Sequence, residues 1–306
     1  MIKIENLTKK YGNLLAVDNI SLEIKEGEVF GLLGPNGAGK TTIIRMLCCL
    51  ISKTSGNAII DDLSLDNKKD HLAIRKIIGI LPENVGLYED MTAYKNLNFI
   101  AKLYQYPENK RKERIEYYLK MLDLWDRKDK VAGTFSKGMK QKLAIARALI
   151  HEPKILFLDE PTANLDPEAS KMVRDFILEL KKENRTIFLN THMLDEAERI
   201  CDRVGILKTQ LIDIGTTTEL RQSLWGKKSI VEVDAVTDKI LENIKSLGFG
   251  TITIDNNKMT IDVNDPHHDN PSIIRAIQDA GGQVQFVSEL VPSLEDIYLK
   301  KIRRNE

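Results

Sequence analysis

The sequence has no excess of charge of either sign and no hydrophobic run long enough to cross a membrane. Its 306 residues include 45 lysines and arginines and 45 aspartates and glutamates, so the formal net charge is zero. This balance argues against a nucleic-acid-binding protein, because such a protein normally carries a basic excess. The most apolar stretch, residues 43–51, is interrupted by Arg45. It is also much shorter than the roughly 18 residues that a spanning helix needs.

Cysteine is scarce, and the chain begins without the apolar core of a secretory signal. The three cysteines, Cys48, Cys49 and Cys201, do not have the spacing of metal ligands. Such sparse usage indicates a reducing compartment. The length allows two domains, each with a sizeable core. We therefore expect a cytoplasmic protein of two domains.

The strongest motif is the glycine-rich loop at residues 34–41, GPNGAGKT. It fits the phosphate-binding template G-x-x-x-x-G-K-[S/T], whose glycines let successive backbone N–H groups point into one concavity. Lys40 is placed to reach the β- and γ-phosphates, and the Thr41 hydroxyl is placed to bind Mg²⁺. The apolar run 29–33 predicts a buried strand before the loop, and residues 41–50 predict a helix after it. The predicted nucleotide-binding residues here are Gly34, Pro35, Asn36, Gly37, Ala38, Gly39, Lys40, Thr41 and Thr42.

Two carboxylates follow a second apolar run, residues 155–158, which is typical of a central parallel strand buried on both faces. Asp159 and Glu160 then stand at the carboxyl end of that strand, where α/β sheets bind their ligands. Asp159 suits Mg²⁺ and its water, and Glu160, on the turn, suits the base that activates the attacking water. Either residue alone could belong to a surface turn.

Four other residues are weaker candidates on the residues alone. His192 follows the apolar run 187–189, and a histidine at the same sheet edge as Glu160 is placed to contact the ligand. Ser136 is a natural N-cap, and with Gly138 it begins a helix whose free N–H groups form a second anion site. Tyr11 beside a glycine is either a ring that stacks on a base or a half-buried residue at a strand end, and composition favours the second interpretation.

The remaining segments predict supporting structure. Residues 2–5 and 20–24 alternate like antiparallel strands. Residues 92–129 predict a helical insert, with Tyr94, Leu97, Phe99, Ile100 and Leu103 as a packing stripe. The tail after Trp225 predicts the order β-α-β-β-α-β of a ferredoxin-like module. A metal cluster drawn from Asp265, His267, His268 and Asp269 on a polar loop is not expected.

In order, these motifs resemble the ATP-binding subunit of an ABC transporter over roughly residues 1–215. The loop 34–41 resembles Walker A, residues 155–160 resemble Walker B, and residues 135–141 resemble the family signature. Residues 163–166 resemble the D-loop, and residues 191–192 resemble the switch histidine. The resemblance assigns Tyr11 to stacking on adenine, which reverses the preference from composition.

Two departures from the family pattern stand out. The signature, usually Leu-Ser-Gly-Gly-Gln, is FSKGM here, with Lys137 for the first glycine and Met139 for the glutamine. A glutamine that usually stands between the core and the helical insert is Glu83, whose carboxylate remains able to bind Mg²⁺ or order water. Variants of this kind resemble the export-type (ABC-2-like) subfamily, whose separate membrane subunits export small molecules, ions or drugs.

The resemblance implies an α/β P-loop ATPase core with an antiparallel β subdomain and a helical subdomain. It places the ATP-binding domain at 1–220, the helical subdomain at about 86–150, and an accessory α+β domain at 226–306. It implies two subunits, as a homodimer or heterodimer, sandwiching two ATP molecules, with Mg²⁺ held by Thr41, Asp159 and Glu83. Lys40, Glu160 and His192 are then catalytic, and Ser136 and Gly138 contact the ATP bound to the other subunit.

The same resemblance implies a separate transmembrane permease and a location at the inner face of the cell membrane. Two other functions remain open. A soluble ABC ATPase that acts on ribosomes or nucleic acid is disfavoured by the single cassette, the short insert and the zero net charge. A regulatory protein that holds ATP without turnover is disfavoured by the presence of Asp159, Glu160 and His192.

Overall fold

The computed structural model describes residues 1–303, which form two compact units, Met1–Ile214 and a second that begins at Gly215. The elements of the first are, in chain order, β1 (Ile2–Tyr11), β2 (Leu14–Ile24), β3 (Val29–Leu33), α1 (Lys40–Leu47), β4 (Ser55–Ile60), β5 (Leu63–Ser64), α2 (Asp70–Ile77), β6 (Ile78–Leu81), α3 (Ala93–Leu103), α4 (Glu108–Met121), α5 (Lys137–Leu149), β7 (Ile155–Asp159), α6 (Pro167–Lys182), β8 (Thr186–Thr191), α7 (Leu194–Ile200), β9 (Arg203–Lys208) and β10 (Gln210–Gly215). The second unit contains α8 (Thr217–Trp225), β11 (Lys227–Val233), α9 (Asp238–Ser246), β12 (Ile252–Asp255), β13 (Lys258–Val263), α10 (Pro266–Asp279), β14 (Val284–Glu289) and α11 (Leu294–Arg303).

An antiparallel sheet is built from the alternating N-terminal strands, in the order β2-β1-β4-β5. Strands β1 and β2 pair in antiparallel register, with Ile2 opposite Ile24 and Ile4 opposite Leu22. All four of these side chains are buried, while the charged residues between them face solvent. The two predicted antiparallel strands are confirmed, and both are longer than the sequence pattern indicated.

The central sheet has the order β10-β9-β3-β8-β7-β6, and β3, β8 and β7 pair in parallel. Every residue of these three strands is buried, which explains their continuous apolar runs. Leu33 lies beside Thr191, and Asp159 lies beside Asn190. The three strands therefore end at one edge of the sheet, and this edge is where the predicted site residues meet.

The helix after the glycine-rich loop is shorter than predicted, because α1 ends at Leu47 rather than near residue 50. Cys49 has a φ of 55°, a left-handed conformation that cannot continue a helix. At the other end, Gly39 caps the helix with a φ of 102°. A Cβ there would lie 2.4 Å from the carbonyl oxygen of Ala16, so only glycine fits.

The predicted helical insert is confirmed, but its packing stripe is partly wrong. Leu97 is completely buried in the core that α3, α4, α5 and α6 share, and Tyr94 and Ile100 pack against it. Phe99 and Leu103, at 40% and 67% exposure, instead face solvent. Helical periodicity defines one apolar face, and it does not determine how much of that face a neighbouring element covers.

The second unit contains the predicted β-α-β-β-α-β order, with a sheet ordered β12-β13-β11-β14. Helices α9 and α10 bury Ile240, Ile244, Ile273 and Ile277 against this sheet. The assignment of residues 265–269 to a polar loop is wrong: Asp265 caps α10 by accepting from the backbone N–H of His267. Within residues 1–303, no cluster of side chains suited to a metal ion is found.

Across the described part of the chain, no helix combines the length and the apolar character needed to span a bilayer.

Candidate functional site

An open cleft of about 640 Å³ lies at the carboxyl edge of the central sheet. It brings together residues that are widely separated in sequence: the loop after β3, the turn after β7, and the residues that follow β6 and β8. Its lining includes these predicted site residues: Tyr11, Asn36, Gly37, Ala38, Gly39, Lys40, Thr41, Thr42, Glu83, Glu160 and His192.

The glycine-rich loop forms the floor of this cleft. Gly34 lies behind the lining, where a Cβ would come within 2.4 Å of the carbonyl oxygen of Leu207. Lys40 folds back over the loop, and its Nζ donates to the carbonyl oxygens of Gly34 at 2.7 Å and Pro35 at 3.2 Å. The loop therefore curls around its own lysine, and the residues that begin α1, whose first N–H groups have no partner within the helix, line the cleft.

Lys40 lies among carboxylates. Burial lowers the pKa of Lys40, while the negative charges of Glu160, Asp159 and Glu83 oppose that shift. Its Nζ is 3.8 Å from Oε1 of Glu160. This arrangement keeps a positive charge close to three acidic groups, as a site for a phosphate–metal complex requires.

Glu160 and His192 form a pair at the mouth of the cleft. Strand β7 ends at Asp159, and Glu160 turns away with a left-handed φ of 52°, a conformation that is uncommon for residues with a side chain. Nδ1 of His192 lies 2.9 Å from Oε2 of Glu160. The backbone N–H of His192 also points to that oxygen, at 3.4 Å. The imidazole is thus fixed beside a carboxylate that remains open to the cleft.

Asp159 lies deeper than Glu160. It is 3% exposed, and its Oδ1 accepts from the side-chain amide of Asn190 at 3.1 Å. Oδ1 of Asn190 is buried without a hydrogen-bond partner among the described residues. Asn190 was absent from the sequence-based site, although a polar residue at the end of an otherwise apolar strand was a signal that could have found it.

Ser136 and Gly138 are not part of this cleft lining. Ser136 caps α5, and its hydroxyl oxygen accepts from the backbone N–H of Met139 at 3.3 Å. A Cβ on Gly138 would lie 3.3 Å from Cβ of Ala169, so this helix start runs close to α6. Gln141, further along α5, donates to the carbonyl oxygen of Pro161 at 2.7 Å and connects α5 with the turn after Glu160.

The cleft also contains residues that the sequence did not single out. These are Leu14 and Ala16 of β2, which form part of its wall, whereas Ala163 and Asn164, which also line it, belong to the segment that resembles the D-loop. Tyr11 itself is 44% exposed, and its ring lies under the ammonium of Lys9 at 4.8 Å. An exposed ring at the cleft rim is available for stacking. Leu14 and Ala16 belong to no sequence motif, because an apolar wall needs only side chains of a suitable shape.

Comparison with known proteins gives matches over both units. The family described as "ABC transporter" matches residues 17–163, and the family described as "ATP-binding protein DrrA1-3-like, C-terminal domain" matches residues 215–302. The chain is similar to the linearmycin resistance ATP-binding protein LnrL of Bacillus subtilis (strain 168), with 34% identity over 98% of this chain and 97% of LnrL. It is also similar to the bacitracin transport ATP-binding protein BcrA of Bacillus licheniformis, with 44% identity over 68% of this chain and 66% of BcrA.

Among solved structures, the fold is similar to the dimeric post-hydrolysis state of the ATP-binding cassette MJ0796 bound to ADP and Pi. The TM-score is 0.65 and the identity 29%, over 71% of this chain and 98% of that chain. A structure described as the ATP-binding subunit of an ABC transporter gives a TM-score of 0.68 at 30% identity, over 74% of this chain and 94% of that chain.

Proposed function

The chain belongs to the ABC transporter family as an ATP-binding subunit that couples ATP hydrolysis to transport, and on that premise we propose that it powers export of a small molecule, ion or drug through a separate membrane subunit. The export direction is supported by the names of its relatives, one of which confers linearmycin resistance while another serves bacitracin transport. The similarity to LnrL extends over nearly the whole of both chains.

We propose that ATP binds with its phosphates on the glycine-rich loop and its base against Tyr11. Lys40 then neutralises the β- and γ-phosphates, and the N–H groups of residues 37–42 donate to the phosphate oxygens. The cleft is large enough for a nucleotide, and Tyr11 stands at its rim with an exposed ring. Leu14 and Ala16 complete an apolar wall beside that ring.

The donor groups around the cleft fit Mg²⁺. Thr41, Asp159 and Glu83 offer one hydroxyl and two carboxylates, the oxygen ligands that this hard cation prefers. The negative charges of Asp159 and Glu83 act to raise the pKa of Lys40, so both carboxylates lie near Lys40 and near the proposed position of the phosphates. When bound, the cation would neutralise phosphate charge during γ-phosphoryl transfer.

The observation that best supports hydrolysis is the Glu160–His192 pair beside Lys40. Glu160 faces the cleft, so we propose that it accepts the proton of the attacking water. His192, fixed by its contact with Glu160, is proposed to contact the γ-phosphate and orient the water. Nζ of Lys40 lies 3.8 Å from Oε1 of Glu160. The proposed base and the lysine proposed to bind the phosphates are therefore close together.

We propose that the site is completed by a second ATPase subunit, identical or homologous, through Ser136 and Gly138. Both lie at the start of α5, outside the cleft of their own chain. We also propose that residues 1–220 form the ATP-binding domain, that residues 226–306 form an accessory domain, and that the assembly works at the inner face of the membrane.

Purification tests the transport assignment. Detergent extraction of membranes, followed by capture of the tagged chain, is expected to recover a hydrophobic permease subunit. Recovery with ribosomes alone would instead support a soluble ABC ATPase that acts on translation. Because the net charge is zero, nucleic acid is not expected to copurify, and nuclease treatment before capture is expected to leave the recovered complex unchanged.

A further inference from the structure

The segment that follows β6 begins at the ATP cleft. Further along, it is attached to helices α3 and α5. Glu83 lines the cleft, only two residues after the end of β6. Gly86, three residues later, has a φ of 54°, a left-handed conformation that glycine adopts without strain. Residues 82–91 are called the Glu83 loop below.

A single side chain from α5 holds the middle of this loop. Nη1 of Arg147 donates to the carbonyl oxygen of Gly86 at 2.6 Å. The guanidinium is largely withdrawn from water, and its burial lowers the pKa of Arg147 while the nearby Tyr88 and Tyr104 oppose that shift. The bond reaches the exposed carbonyl of Gly86, and its donor is charged, so it belongs to the stronger, charge-assisted kind of hydrogen bond.

The far end of the loop is attached to the same helical segment. The side-chain oxygen of Asn96, on α3, accepts from the N–H of Tyr88 at 3.0 Å, and its amide donates back to the Tyr88 carbonyl at 2.9 Å. Asn96 is completely buried. Lys140 of α5 forms an ion pair with Glu89 at 2.6 Å. These attachments come from α3 and α5, not from the central sheet.

Helix α5 therefore carries two kinds of contact along its length. Its first turn holds Ser136 and Gly138, and its last turn holds Arg147. The separation of Ser136 and Arg147 along the helix is ~16 Å, at 1.5 Å per residue. Because an α-helix moves as one body over this length, a shift of its first turn is accompanied by a shift of the Gly86 anchor.

We propose that Arg147 is a positioning residue for Glu83. Through Arg147, helix α5 connects two ATP molecules: the one on the other subunit, which Ser136 contacts, and the one in its own chain, which faces Glu83. This inference rests on the proposed two-subunit site. Glu83 lies three residues before Gly86, so the Cα atoms of the two residues can be at most about 10 Å apart. Fixing Gly86 therefore restricts where the carboxylate of Glu83 can lie. Within residues 1–303, the bond from Arg147 is the only side-chain hydrogen bond to the segment between β6 and Tyr88, whose other attachment is the packing of Val85 and Leu87 against the core.

Hydrogen exchange tests the anchor in the full chain without nucleotide. Arg147→Met is expected to speed exchange of the Tyr88 and Met91 amides at least fivefold, because these N–H groups donate to Asn96 and to the Tyr88 carbonyl just beyond the Gly86 anchor, while Arg147→Lys keeps a donor and restores much of the protection. Lys142→Met, on the same helix, is the matched control and is expected to leave the loop unchanged. Unaltered exchange of the loop in Arg147→Met would contradict the proposal. This measurement does not depend on ATP hydrolysis, so it separates the anchor from the proposed function.

A double-mutant cycle tests whether the anchor acts through Glu83. In the wild-type background, Arg147→Met is expected to lower kcat about tenfold, the size of effect that follows a small displacement of a site residue. In a Glu83→Ala background the same change is expected to alter kcat less than twofold, because the residue that it positions is already gone. Equal losses in both backgrounds would overturn the proposal in favour of a general stabilising role. Absence of ATP hydrolysis by the unmodified chain would instead reject the proposed function.

Discussion

The glycine-rich loop at residues 34–41 and the start of α5 at Ser136 both offer backbone N–H groups to an anion, and they differ in their surroundings. The loop lies on buried strands, holds Lys40 in its curl, and faces Glu160 and His192 across one cleft. Ser136 is exposed at a helix start that does not line that cleft. We propose the first region as a nearly complete phosphate site, and the second as a contact to the phosphates of an ATP that is bound to another subunit. This difference explains why ATP is expected to draw two subunits together.

The largest effect expected on the cleft side comes from Glu160→Gln. It removes the proton acceptor but keeps the size of the side chain, so turnover is expected to fall by about 10²–10⁴. ATP affinity, measured by calorimetry, is expected to stay within a few-fold of wild type. Glu108→Gln, at the exposed start of α4, serves as the control. Wild-type turnover in Glu160→Gln would remove Glu160 from its proposed role.

The glycine-rich loop and the start of α5 are expected to differ in how strongly a substitution there weakens ATP binding. Lys40→Ala removes a charged contact to the phosphates and is expected to weaken ATP binding by about 10–100-fold. Ser136→Asp keeps a good helix cap and adds a charge that repels phosphate. At protein concentrations where the chain is monomeric, the ATP affinity of Ser136→Asp is expected to stay within twofold of the wild-type affinity. Equal weakening by both substitutions would mean that Ser136 contacts the ATP of its own chain.

A smaller effect is expected at the rim of the cleft. Tyr11→Ala removes the stacking surface for the base and is expected to weaken ATP binding about tenfold. Tyr11→Phe keeps a ring and is expected to bind as wild type does. Tyr117→Ala, an exposed tyrosine on α4, controls for loss of an aromatic surface. If GTP and ATP bind equally and Tyr11→Ala affects neither, the ring does not stack on a base.

The smallest effect concerns stability rather than the site. Burial lowers the pKa of His151, whose Nε2 lies 2.8 Å from the Ile78 carbonyl oxygen. Below the ordinary histidine pKa of 6.5 the unfolded chain binds more protons than the folded chain, so stability falls as the pH is lowered through that range. Denaturant unfolding at pH 7.5 and 5.5 is expected to show this loss, and His151→Gln is expected to reduce it. An identical loss in both proteins would assign the pH dependence to other groups.

Much of the site could be predicted because its parts are encoded locally. The loop at residues 34–41 is a contiguous pattern, and Asp159, Glu160 and His192 each directly follow an apolar run. The rule that parallel strands end at one edge was then enough to bring them together. The ferredoxin-like order of the second unit followed from alternating strand and helix patterns in the same way.

Contacts that depend on packing between distant elements could not be predicted. Asn190 reaches Asp159 only because β8 lies beside β7, and Arg147 reaches Gly86 across 61 positions of sequence. Leu14 and Ala16 form a wall by shape alone. Phe99 and Leu103 show the opposite error, since their spacing predicted burial and both are exposed, even though the Phe99 ring packs against the ring of Tyr88 at 5.1 Å. Spacing defines faces of elements, and only the fold determines which faces meet.

The most direct test of a site divided between two chains is subunit mixing. Lys40→Ala and Ser136→Asp are each expected to abolish turnover alone. In an equal mixture, half of the randomly paired dimers combine both variants, and each has one site with Lys40 and Ser136 intact. Turnover is then expected to recover to roughly a quarter of the wild-type rate, as a two-fold symmetric dimer requires. No recovery on mixing, at concentrations where the wild-type chain dimerises, would contradict the divided site.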